Sequence, residues 1–370
     1  MIIKDLSRLV EEELVRLIEI YSPSGDEAEI VGYAFDRLTG LDLTPRRVPT
    51  PGGHDNVVAG AADPHLVITA HLDTIRPTWE WSGRAEIGDG VVRGLGAVDD
   101  KGGVAAALLA LELVAQAGVR VEESGVAVAF TVDEEVNGTG SLAVAEALRP
   151  PFVIALEGTG LAPGIAEAGV VAASADVWGR SVHGSSPEFG DNAIVKAARL
   201  ILDLEQADFT KVDHPLTGAT LPCVEQISGG SELFVVPERA SLRFDIRVAP
   251  GISAEEVADE VRRICAQHDA AVTFEEVVSA FETPEESTLV GVLRASTRRV
   301  LGAARPAVGM RAWTDAHNFV AEGSEAVVFG PGKLIGSAHQ PDEHVEVDEV
   351  AAAAQILSDL IVREAAGLLV

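Results

Sequence analysis

The chain is short of basic residues, cysteine, methionine and aromatic rings, and the first two shortages close off classes of function. Its 370 residues carry 28 lysines and arginines against 58 aspartates and glutamates, a formal net charge of -30. No basic run interrupts that balance, so nothing can track a phosphate backbone and no nucleic-acid partner is expected. No apolar stretch is long enough to span a bilayer, and no membrane partner is expected either. The segment Met1 to Ser22 reads as an acidic amphipathic helix without a visible export signal, so the expected location is cytoplasmic. Cys223 and Cys265 lie outside any CxxC pattern and read as buried free thiols, which sets aside thiolate metal sites and a disulfide framework.

What is present fits a soluble globular protein. Apolar residues make up 47% and charged residues 23% of the chain, ordinary shares for a packed protein. Its length exceeds what one core supports, so two domains are expected. Leu6, Leu9, Val10, Leu14, Leu17 and Ile18 recur at helical spacing. Ser24 with Glu27 predicts a capping box for a second helix through Ile30, Val31, Phe35 and Leu38.

Strands and helices then alternate: Leu66–Ala70, a helix from Gly102, Val126–Val132, a helix near Ser141, and Phe152–Leu156. This is the rhythm of a parallel sheet covered by helices. After Gly169 the order becomes βαββαβ, a small split sheet, before the first style resumes from Ser287. The expected fold is an α/β domain with a mainly parallel sheet, interrupted by an inserted α+β, ferredoxin-like domain. The boundaries are 1–169 and 281–370 for the outer domain and 170–280 for the insert.

In an open parallel sheet, ligands gather beyond the carboxyl ends of the strands. Here those ends carry His71-Leu72-Asp73, Asp133-Glu134-Glu135, Glu157 and, further along, Ser337-Ala338-His339, while Asp99-Asp100 sits in a glycine-rich loop feeding a helix. Each alone has a bland reading, as a loop histidine, a solvated strand end or an ordinary turn. Together, two imidazoles and several carboxylates suit a pair of divalent metals such as zinc, cobalt or manganese. Asp73 is placed to orient His71, and one of Glu134 and Glu135 can bind metal while the other stays free as a general base.

The stretches His71-Leu72-Asp73-Thr74, Gly94 to Gly102, Asp133-Glu134-Glu135, Ser181-Val182-His183-Gly184 and Ala338-His339 resemble, in order, the successive motifs of the M20 metallopeptidase family. That family includes acetylornithine deacetylase, succinyl-diaminopimelate desuccinylase, aminoacylase and glutamate carboxypeptidase. The resemblance implies a zinc-peptidase-like catalytic domain and a hydrolase with two divalent ions per subunit, zinc first and cobalt or manganese as alternatives. It implies His71, Asp99 and Glu157 on one metal and Asp99, Glu135 and His339 on the other, with a cis peptide after the bridging Asp99. Asp73 then holds His71, and Glu134 is the general base toward a water activated between the metals. The resemblance also implies a homodimer joined through the inserted domains, with His183 reaching the other subunit's site.

Arg247 is a candidate for the substrate carboxylate, with a cross-strand ion pair as the competing reading. Thr314-Asp315 resembles a substrate-side motif, with a helix cap as its competitor. Relatives often carry asparagine where this chain has Phe234, which points to a less polar pocket. The substrate expected is a small N-acyl amino acid or a dipeptide, with acetylornithine deacetylase-like deacylation ahead of dipeptidase or carboxypeptidase action. A dimeric binding protein that has lost the chemistry is the reading from another class.

Overall fold

The computed structural model of the protein describes residues 3–230 and 232–367, so the first two residues of the expected opening helix and the last three of the chain lie outside it. The chain divides into two compact units, Met1–Ile165 with Thr283–Val308 and Thr314–Val370, and Ala166–Glu282 with Gly309–Trp313.

Four strands of the first unit run parallel in the order Val126–Thr131, Leu66–His71, Phe152–Ala155, Glu325–Val328. Leu66–His71 and Val126–Thr131 are buried at every position, and so they read as continuous apolar runs rather than alternating ones. Beyond Val126–Thr131 the sheet continues antiparallel through Asp55–Gly60 and Arg46–Pro49. The sequence reading missed both. Three of the four residues of Arg46–Pro49 are exposed, so the strand carries no apolar period to detect.

Register sets up the site. His71 lies opposite Thr131, and Thr69 opposite both Ala129 and Ala155, so these strands finish nearly level. Whatever follows them in sequence emerges along one edge.

The helix Lys101–Gln116 is buried at every residue from Lys101 to Leu111. Its run of alanines and leucines favours helix and needs no polar face, because neighbours surround it, among them Ile3–Glu19 and Val347–Glu364. Each leucine buried this way contributes about 1.5–3 kcal/mol. Asp100 starts the helix by accepting a hydrogen bond from the Gly103 N–H at 3.1 Å. The second helix, Ala28–Gly40, has no side-chain cap. Ser24, expected to supply one, points elsewhere.

In the second unit the strands lie in the order Leu221–Gly229, Arg239–Val248, Gly169–Trp178, Ala270–Val278, all antiparallel. Numbered along the chain this is 2-3-1-4, the ferredoxin-like order. Ala240, Leu242, Phe244, Ile246 and Val248 alternate inward on one strand and pack with residues of Ala193–Glu205 and Ala254–Gln267. Asn192 caps the first of these helices and a Ser253–Glu256 capping box starts the second. Both cysteines are free; Cys265 is buried as expected, but Cys223 sits exposed on the edge strand Leu221–Gly229. No helix among the described residues is long and apolar enough to cross a membrane.

Candidate metal centre

Two sets of donor atoms converge at the sheet edge of the first unit. His71, Asp99 and Glu157 each offer a ligand atom within 4.8 Å of one another, and so do Asp99, Glu135 and His339. Asp99 belongs to both. Its Oδ1 lies 2.9 Å from His71 Nε2 and its Oδ2 3.1 Å from His339 Nε2. Glu157 Oε1 is 3.4 Å from His71 Nε2, and Glu135 is 3.1 Å from His339 Nε2.

Each donor owes its place to local structure. His71 is the last residue of its strand. Asp99 precedes the buried helix, and the Asp99–Asp100 peptide is cis. Glu134 and Glu135 follow Asp133, which adopts φ 62° and ties its carboxylate to Thr139 Oγ1 at 2.6 Å and to Asn137 Nδ2. His339 also sits at φ 62°. Left-handed backbone is uncommon outside glycine and tends to mark functional loops. Gly330 lets the Glu157 backbone come close, since a Cβ there would lie 2.5 Å from the Glu157 carbonyl oxygen.

Asp73 holds this arrangement differently from expectation. His71 Nδ1 lies 3.0 Å from the Asp73 backbone carbonyl and 3.6 Å from its carboxylate. The carboxylate instead accepts the N–H groups of Glu134 and Glu135, both at 3.1 Å, and the Ser24 hydroxyl at 2.7 Å. The Asp73 carboxylate thus reaches the backbone of both glutamates while staying beside His71. Asp315 is a comparable support: Thr131 Oγ1 donates to its carboxylate at 2.6 Å, while Thr314 Oγ1 accepts the Ala316 N–H. The capping reading thus belongs to Thr314 alone.

The electrostatics test whether divalent ions fit. Burial pushes the Glu157 carboxyl up to about 8, with the Asp99 charge adding to it. Burial likewise holds Glu134 well above the usual carboxylate range; the His71 imidazole opposes the shift, and Glu157, Asp315 and Asp99 reinforce it. The Oε2 atom of Glu157 is buried without a hydrogen-bond partner. Crowded carboxylates and an orphaned oxygen are what a cationic centre would relieve, and imidazole with carboxylate suits borderline divalent metals. The residues fit.

His183 and Arg247 belong to the second unit. His183 is exposed and its Nδ1 lies 2.8 Å from Ser185 Oγ. Arg247 Nε donates to Asp245 Oδ2 at 2.8 Å, so the competing ion pair is present but runs along one strand rather than across two. Phe234 is 80% exposed at φ 64°. Trp79 and Trp81 are partly buried. They line a cavity of about 320 Å³ with Arg93 and Gln340, and Trp81 stacks on Tyr21 at 5.7 Å.

Donor sets that share one carboxylate, on a parallel sheet edge, suit a two-metal hydrolase. The chain belongs to peptidase family M20/M25/M40, whose pattern matches residues 67–363. It is 28% identical over 370 residues to a succinyl-diaminopimelate desuccinylase of Gluconacetobacter diazotrophicus, covering 94% of each chain. An acetylornithine deacetylase of Myxococcus xanthus is 28% identical over 353 residues, 89% of this chain and 88% of that one. A solved tripeptidase from Staphylococcus aureus shares the fold with a TM-score of 0.83 over 97% of this chain and 99% of that one, at 22% identity.

Proposed function

We propose that the protein is a two-metal deacylase that releases a small amino acid from its N-acyl form, with acetyl and succinyl the first acyl groups to test. The observation that carries this reading is the pair of donor sets sharing Asp99, with Glu134 beside them. His71, Asp99 and Glu157 would hold one ion, and Asp99, Glu135 and His339 the other. Zinc suits the donors best, and cobalt or manganese can replace it. Bound there, the ions would polarise the amide carbonyl and bring the pKa of water toward neutrality. The names of the two relatives support acyl-amide hydrolysis over other amide chemistry.

The chain's own part is proton transfer and positioning. Glu134 takes a proton from the attacking water as its oxygen bonds to the carbonyl carbon, then delivers it to the leaving nitrogen as the C–N bond breaks. Asp73 keeps Glu134 and Glu135 in place through their N–H groups. Arg247, with its remaining guanidinium nitrogens, would take the substrate carboxylate.

The second unit would join two copies, and His183 would donate to the developing oxyanion in the other subunit. Exposed Leu221 and Ile227 on the edge strand, with Ile194, Val195 and Leu202 on the helix Ala193–Glu205, support such an interface.

Hydrolysis of N-acetyl amino acids, N-succinyl amino acids and dipeptides by protein stripped with chelator and reloaded with zinc or cobalt tests the reading. Metal-dependent release from the acyl substrates is expected. Turnover of dipeptides alone would make the protein a peptidase, and no turnover with two ions bound per chain would refute catalysis of this class.

A further inference from the structure

Glu343 is 2% exposed, yet it lies in a loop and has no place among the donors. Its Oε1 accepts the N–H of Val98 at 3.0 Å and the N–H of Asp99 at 3.3 Å. Its own backbone carbonyl accepts the Gly94 N–H at 3.0 Å, and its N–H donates to the Gln340 carbonyl at 3.1 Å. The next residues, His344–Glu346, pair antiparallel with Val91–Arg93. One acidic residue therefore fastens the loop carrying Asp99 to the loop carrying His339, four residues upstream.

We infer that Glu343 is a positioning residue that aims the shared Asp99 carboxylate at both imidazoles. Two successive N–H groups pinned to one buried side-chain oxygen fix the backbone from which Asp99 projects. Asp99 has little latitude, because its two oxygens serve different histidines at 2.9 and 3.1 Å. A tilt that keeps one contact loses the other. The set with His339 should suffer more, since His71 ends a buried strand and Glu157 follows one closely, while His339 relies on the loop Glu343 anchors. Groups that orient ligands in this way typically account for 10–100-fold in metal affinity.

The inference rests on Asp99 serving both ions, and the test separates the two ideas. Cobalt and zinc are titrated into wild type, Glu343→Ala, Glu343→Asp and Glu343→Gln in competition with a chelating dye. Wild type should take two equivalents. Glu343→Ala and Glu343→Asp, the latter charged but a methylene too short, should bind the second about 10–100-fold more weakly and the first nearly as before. Glu343→Gln, whose carbonyl can still accept both N–H groups, should stay close to wild type. Second-ion binding at wild-type strength in Glu343→Asp would overturn the inference, and so would an equal loss in Glu343→Gln. Should Glu343→Ala fail to fold, the Asp and Gln variants decide. Wild type taking only one equivalent would instead overturn the two-metal reading.

Discussion

The two donor sets share a residue and little else. His71, Asp99 and Glu157 are all buried, and His71 is 1% exposed. His339, in the other set, is 46% exposed and hangs on a loop at positive φ. One set is built from the sheet, where register does the positioning. The other is closed by a distant loop that needs its own anchor. With ions bound, tight retention and easy access for a substrate would thereby be divided between neighbouring positions only a carboxylate apart.

Removing Asp99 should erase the contrast altogether. Asp99→Ala is expected to lose both ions and all turnover, measured by metal content and amide hydrolysis. Retention of one tightly held ion would show that the buried set stands without it. Glu134→Ala should leave both sets intact and isolate the chemistry: two ions per chain, with kcat lower by about 10²–10⁴-fold. Loss of metal there would make Glu134 a ligand.

The histidines should separate the sets directly. His339→Ala should give up one ion and keep the other, whereas His71→Ala should weaken the ion that chelator removes last. Reversal of that order in dialysis against chelator would break the comparison. Ser24→Ala removes a hydrogen bond to the Asp73 carboxylate and should lower stability by about 1.5 kcal/mol, read by urea denaturation. It should also reduce kcat, because Asp73 holds both glutamates.

The smallest effect lies away from either set. Burial pushes the Cys265 thiol up to about 11 from an ordinary 9.0. The folded state holds that proton more tightly, so this contribution to stability is complete below pH 9 and fades as pH rises through 11. At neutral pH a thiol reagent should modify Cys223 alone in the native protein and both cysteines after unfolding.

Much of this was legible in the sequence because strand ends and apolar periods are local signals. The strands leading to His71, Glu134 and Glu157 announce themselves as apolar runs, and the polar residues after them can only emerge at one edge. What stayed hidden depends on contacts between distant segments. Ser24 reads locally as a helix cap, but its hydroxyl reaches Asp73, 49 residues away. Glu343 is one acid among many until its carboxylate is seen to accept N–H groups 244 and 245 residues upstream. The edge strand Arg46–Pro49 exists because Asp55–Gly60 gives it a partner, not because its own residues ask for it.

The unit that bears both donor sets is discontinuous along the chain, and this has a consequence for biosynthesis. Phe152–Ala155 waits for its parallel neighbour Glu325–Val328, while the second unit is translated in between. At roughly 5–20 residues per second, that interval lasts on the order of ten seconds. Throughout it, a nascent chain already bearing His71, Asp99, Glu135 and Glu157 has an unsatisfied strand edge and no His339. The ribosome must deliver the chain through His339 before the centre can be completed, so metal capture should follow the synthesis of the second unit.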